Sequence, residues 1–175
     1  MIRTPNLLTA LLLAPVLAGA AAAAPAGMPL WQGAETGMTA AEVGRAFPEA
    51  EVVPENERAG ERGPDQGELR VRIHRVEVAG APYRARFYFT GSGLERVILD
   101  RQFQGEVRFS RGLKLAGRVR EALSRHYGEP VERQTGSSGY LVTWRKGAKA
   151  VRLVVITKSY KVKSFQVIFE PATAE

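Results

Sequence analysis

LRVRIHRVEVAGAPYRARFYFTGSGLERVILDR, residues 69–101, is the stretch that decides the fold. Leu69, Val71 and Ile73 alternate with Arg70, Arg72 and His74, the period-2 signature of a strand with one buried face. The apolar phase then slips to Val76 and Val78, which predicts a bulge near His74-Arg75. Gly80-Ala81-Pro82 turns the chain into a second strand, where Tyr83, Ala85, Phe87 and Phe89 alternate with Arg84, Arg86, Tyr88 and Thr90. Gly91-Ser92-Gly93 turns it again into a third, Leu94–Arg101. Alternating runs bounded by glycine turns make a β-meander.

A helix precedes the meander. In Gly37-Met38-Thr39-Ala40-Ala41-Glu42-Val43, Thr39 is placed as N-cap and Glu42, three residues on, can return a bond to the cap's own N–H. Met38 and Val43 have the spacing of a hydrophobic staple. The helix runs through Ala46-Phe47 and stops at Pro48, which disfavours helical geometry in the residue before it. Between helix and meander, Val53–Glu68 is rich in acidic residues and glycine and reads as a mobile loop.

The same order recurs downstream. Ser110 can cap a helix over Arg111–Tyr127, with Leu115, Ala116, Val119, Leu123 and Tyr127 as its apolar stripe and Lys114, Arg118, Glu121 and Arg125 facing water. Gly128 is placed to end it and Pro130 blocks continuation. Strands follow at Tyr140–Trp144, Val151–Thr157 and Phe165–Phe169, the first two joined by a turn at Lys146–Lys149. The predicted fold is therefore α+β: two helix-plus-three-strand units, 37–103 and 108–170, forming one antiparallel sheet with both helices on one face. Both units belong to a single domain, 37–175.

Ahead of this domain, residues 1–23 have the layout of a secretory signal peptide, with Arg3, an apolar run from Leu7 to Leu17 and a wall of alanines. The competing reading is a retained anchor. Its apolar core is about a dozen residues, short of the ~20 needed to span hydrocarbon, and Pro15 interrupts it. Residues 24–36 read as an N-terminal linker. No cysteine is present, so neither disulfides nor a lipidated thiol is expected. The expected location is the periplasm or the medium, with no stable membrane anchor after cleavage.

The net charge of +7 is unevenly spread. Pro29–Asp100 carries nine Lys/Arg against twelve Asp/Glu, whereas Arg101–Glu170 carries fifteen against five. A basic half in an exported chain points to an acidic envelope protein or an anionic lipid and away from nucleic acid.

Gly37-Met38-Thr39-x-x-Glu42-Val43, followed by a short helix and a meander, resembles the SmpA/OmlA (BamE-like) domain of bacterial envelope proteins. The tandem arrangement over Met38–Glu170 also resembles the β-lactamase inhibitory protein fold. These resemblances imply an envelope location and a protein-binding habit. They transfer no binding residue to this chain.

A catalytic inventory is missing. His74 and His126 lie on different elements without acidic neighbours at triad or metal spacing, and no Gly-x-Ser-x-Gly context surrounds a serine. No enzyme activity, metal or cofactor is expected. The polar side of the sheet is the candidate site: Arg72, Arg84, Arg86, Tyr88 and Arg96 from the first unit, and Arg145, Arg152 and Lys158 from the second, interleaved with Leu141, Val154 and Ile156. Arginine and tyrosine are favoured at binding hot spots, and guanidinium pairs well with carboxylate or phosphate. The competing reading is a solvated face whose charges pair among themselves. Val154 and Ile156 could instead mark a homodimer contact. The expected function is a non-catalytic envelope binding protein. The alternatives are an inhibitor or accessory subunit of another exported protein, or an envelope enzyme without a recognisable motif.

Overall fold

The computed structural model describes residues 27–58, 67–101, 107–159 and 161–172; the expected leader, 1–23, lies outside them. The chain opens with a small hairpin, β1 (Pro29–Trp31) and β2 (Ala34–Glu35), followed by helix α1 (Ala40–Ala46), β3 (Glu51–Val52) and the one-turn helix α2 (Glu55–Arg58). The meander follows as β4 (Glu68–Val78), β5 (Ala81–Thr90) and β6 (Gly93–Asp100). Then come β7 (Val107–Arg108), α3 (Phe109–Tyr127), β8 (Glu132–Gly136), β9 (Gly139–Lys146), β10 (Lys149–Lys158) and β11 (Lys161–Pro171).

Strands hold 54% of the described residues and helices 22%, so the molecule is mostly β. One antiparallel sheet runs β3-β4-β5-β6-β11-β10-β9-β8, with β7 paired to β11 off this path. This overturns the α+β reading of two helix-plus-three-strand units. α1 is only seven residues long, closed by its C-cap at Phe47 ahead of Pro48, and the single long helix among the described residues is the nineteen-residue α3. The second half adds β8, and β3 extends the first edge, so the halves differ in both strand number and helix size.

The meander follows the alternation of its sequence. The register of β4 on β5 shifts between Ile73 and Val76, where the apolar phase slips. A second shift between Tyr88 and Phe89 lets Leu94 and Val97 both point inward across the extra residue Glu95. The seam of the sheet is β6 on β11, with Ile98 opposite Ile168 and Leu99 opposite Val167.

One face carries the main core. Val71, Ile73, Phe87, Val97, Trp144, Leu153 and Val167 are buried there beneath Val43 and Phe47 of α1 and Leu115, Val119 and Leu123 of α3. Trp144 is fully buried and donates its indole N–H to Ser124 Oγ of α3 at 3.2 Å. Of the expected linker, 24–26 lie outside the described residues, and the rest is structural. Leu30, Trp31 and Ala34 are buried, and Trp31 stacks on Phe47 at 5.7 Å between centroids. A large apolar pair in an otherwise small-residue stretch is buried for the usual reason, removal of apolar area from water. No helix among the described residues is long and apolar enough to cross a membrane.

The N-terminus of α1 has the expected capping box. Glu42 N–H donates to Thr39 Oγ1 at 3.3 Å, and Thr39 N–H donates to Glu42 Oε2 at 2.8 Å. Those bonds from Thr39, backbone first, hold the Glu42 carboxyl below its ordinary range. Thr39→Ala is expected to cost about 1 kcal/mol of stability, read by urea unfolding. A change within error would mean that packing alone holds this short helix.

Candidate binding face

The opposite, outer face of the sheet is built by the residues that alternate away from the core. Across its middle the register aligns one residue from each of eight strands: Glu51, Arg72, Arg86, Ile98, Ile168, Arg152, Thr143 and Glu132. An aliphatic pair sits at the seam, arginines flank it, and a carboxylate stands at each edge. The adjacent row holds Arg84, Asp100, Gln166, Val154, Leu141 and Gln134.

The first half of this face is closed. Val53 is fully buried against Leu69, Tyr88 and Ile98 in a second, smaller core. The expected loop Val53–Glu68 therefore begins as a packed segment, continues as α2, and passes outside the described residues at 59–66. Tyr88 is 2% exposed, so its ring supports this core and does not reach a partner. Arg72 pairs with Glu51 of β3 and with Glu57 of α2 at 2.6 Å. Hydrogen bonds to Glu57 and Glu51 hold Arg72 above its ordinary value despite partial burial. The same contact, joined by His74, holds the Glu51 carboxyl below its ordinary range. Arg86 lies 3.7 Å from Asp100 with its guanidinium 5.9 Å from the Tyr88 ring centroid, and it is largely covered.

Arg96 is also covered. Its Nε stands 2.7 Å from Glu170 Oε2, and Arg152 Nε reaches the other oxygen of the same carboxylate at 3.1 Å. Both contacts are ion pairs without hydrogen-bond alignment: Arg96 Nε in the first and Glu170 Oε1 in the second lack an aligned partner. Glu170 is thus a buried carboxylate on β11, held between arginines of β6 and β10. Nothing in the sequence patterning singled it out; the available signal was one acidic residue closing an otherwise basic strand.

The second half is open. Arg145 and Lys158 are exposed, and the Arg152 side chain is 40% exposed even while paired. Ile156 is 47% exposed beside half-buried Val154 and Leu141. Of the eight expected residues, Arg72, Arg86, Tyr88 and Arg96 are built into the structure. Arg84 is half-buried at the boundary, while Arg145, Arg152 and Lys158 face solvent on the open half. Among the described residues no three His, Cys, Asp or Glu side chains gather as a metal site.

No protein-family model matches the chain. The curated proteins yield no match either. Among solved structures, a DUF4309 family protein (YjgB) from Bacillus subtilis subsp. subtilis str. 168 is similar at 18% identity, covering 83% of this chain and 88% of that chain, with a TM-score of 0.46.

Proposed function

We propose that this chain is an exported, non-catalytic binding protein of the bacterial cell envelope, and that it engages an acidic protein partner through the open half of its outer sheet face. The observation that carries this reading is an exposed strip along β10 and β9 in which Ile156, 47% exposed, stands two residues from Lys158 and is followed through Val154 to Arg152, with Arg145 at the far end. An exposed aliphatic strip with cations along it and at its ends is the composition of a contact site whose apolar part gives affinity and whose charges select the partner. The rigid sheet holds these groups at fixed spacing, which suits a protein surface better than a fluid bilayer. The leader-like N-terminus and the SmpA/OmlA resemblance of Gly37–Val43 support the envelope location. An inhibitor or accessory subunit would use the same face.

The test is photo-crosslinking from position 156 in intact cells, with the captured protein identified. The expected product is one protein with an acidic surface, lost by at least about tenfold on Arg145→Glu with Lys158→Glu, which reverses two exposed charges and leaves the buried pairs intact. Crosslinks to lipid alone, or capture indifferent to the double reversal, overturn the proposal.

A further inference from the structure

A pocket of about 680 Å³ opens where β1, the C-terminal end of α3 and the β9–β10 turn meet. It lies apart from the outer sheet face, and nothing argued about that face bears on it. Its apolar wall is made by Met28, Pro29 and Trp31 on one side and by Tyr127 and Ala148 on the other. The amine and imidazole groups at its rim are Lys146, Lys149 and His126, and no carboxylate side chain is among its described lining residues.

Both lysines are held by neutral groups. Lys149 Nζ donates to the Leu30 carbonyl at 3.3 Å and sits 5.0 Å from the centroid of the Tyr127 ring. Lys146 Nζ donates at 3.4 Å to the His126 carbonyl, one of the open carbonyls that end α3. Neither ammonium is in an ion pair among the described residues. Burial, with repulsion from Lys146, pushes the Lys149 ammonium below its ordinary value. Burial pushes the Tyr127 phenol up, which keeps that wall neutral. A partly desolvated ammonium with only dipoles around it gains from a counter-charge that the described residues do not place there.

We propose that this pocket binds a small amphiphilic monoanion, its anionic head seated between Lys146 and Lys149 and its apolar body laid against Trp31, Met28 and Tyr127. The volume lies within the range of small-molecule sites, and the division into an apolar wall and a cationic rim fits a ligand divided the same way. Neither half of such a ligand has a full set of partners alone: acetate would lack the wall, and a neutral alcohol would leave the ammonium groups without a counter-charge.

The test is calorimetric titration of the purified protein with decanoate, decanol and acetate. Decanoate is expected to bind at least about tenfold more tightly than either of the others. Lys149→Met should weaken decanoate about tenfold and leave decanol unchanged. Lys146→Gln, at an exposed position, should weaken decanoate about threefold and serves if the Lys149 variant does not fold. Ala148→Phe, which keeps both ammonium groups and fills the mouth, should abolish binding. Decanol or acetate binding as tightly as decanoate, no heat with decanoate, or lysine variants that bind like the parent would each overturn the assignment.

Discussion

Gly93→Ala is expected to cost about 4 kcal/mol of stability, far more than the same change at another turn glycine. Gly93 opens β6 at φ +104°, where an L side chain is strained by roughly 1–3 kcal/mol. A Cβ there would also press into the Gly37 carbonyl oxygen and lie 2.8 Å from Gly37 Cα, both backbone atoms that cannot swing aside. Overpacking of this kind adds roughly 1–3 kcal/mol. The two glycines approach because the chain entering α1 is bonded to the start of β6. Gly37 N–H donates to the Leu94 carbonyl at 2.9 Å, and Leu94 N–H donates to the Met38 carbonyl at 2.8 Å. Pushing them apart would lift α1 and disturb Phe47, whose ring lies 5.4 Å from that of Phe87. Gly147→Ala is the control: φ is +60° but nothing lies within 4 Å of the added methyl, so about 1 kcal/mol is expected. Urea unfolding of the two variants separates strain from close approach; equal losses would remove the contact from the account.

Gly37 also shows how far the sequence could be read. The capping box and staple account for Thr39, Glu42, Met38 and Val43 from local spacing alone, and the structure has the box. The glycine before them sits at φ +82°, a turn the sequence does not announce, and its N–H bonds to a strand that lies more than fifty residues downstream. Signals of short range were legible throughout: the three meander strands, the slip at His74-Arg75, the apolar stripe of α3 and the turn at Lys146–Lys149. What failed was what depends on distant partners. β8 (Glu132–Gly136) is exposed at every residue, so it lacks the alternation that marks a strand with a buried face. β3 is two residues long and forms by pairing with β4. Counting helices by their caps gave α1 the same weight as α3, although seven residues cannot cover a sheet face as nineteen can. The candidate site divides in the same way. Alternation correctly put the arginines on the face away from the core. It could not tell which arginines were already engaged, because Glu57, Asp100 and Glu170 arrive from other elements, and Val53 arrives from an acidic stretch to bury Tyr88.

Removing the carboxylate of Glu170 should be the most damaging change on the outer face, with a loss of about 3 kcal/mol in Glu170→Ala. The residue is 5% exposed and stands between Arg96 and Arg152, on the strand that joins the two halves of the sheet. Breaking a buried pair from one side costs roughly 3–5 kcal/mol, because the remaining charge stays desolvated without a partner. Arg96, with only 19% of its side chain exposed, carries most of that penalty. Arg152 is 40% exposed and can turn to water, which puts the expectation at the lower end of the range. The origin of the loss can be isolated. Arg96→Met in the Glu170→Ala background removes the stranded charge and should recover about 1–2 kcal/mol, since a buried pair replaced by apolar groups is often close to neutral. A double variant no more stable than Glu170→Ala would mean that the carboxylate acts through packing. Glu170→Gln separates fold from binding, because it keeps the shape while releasing Arg152 from its charged anchor. If the open half of the face recognises its partner through a fixed Arg152, this variant should remain folded and lose crosslinking from position 156 severalfold. Full capture by a folded Glu170→Gln would assign recognition to Arg145 and Lys158 and leave Glu170 a purely structural counter-ion.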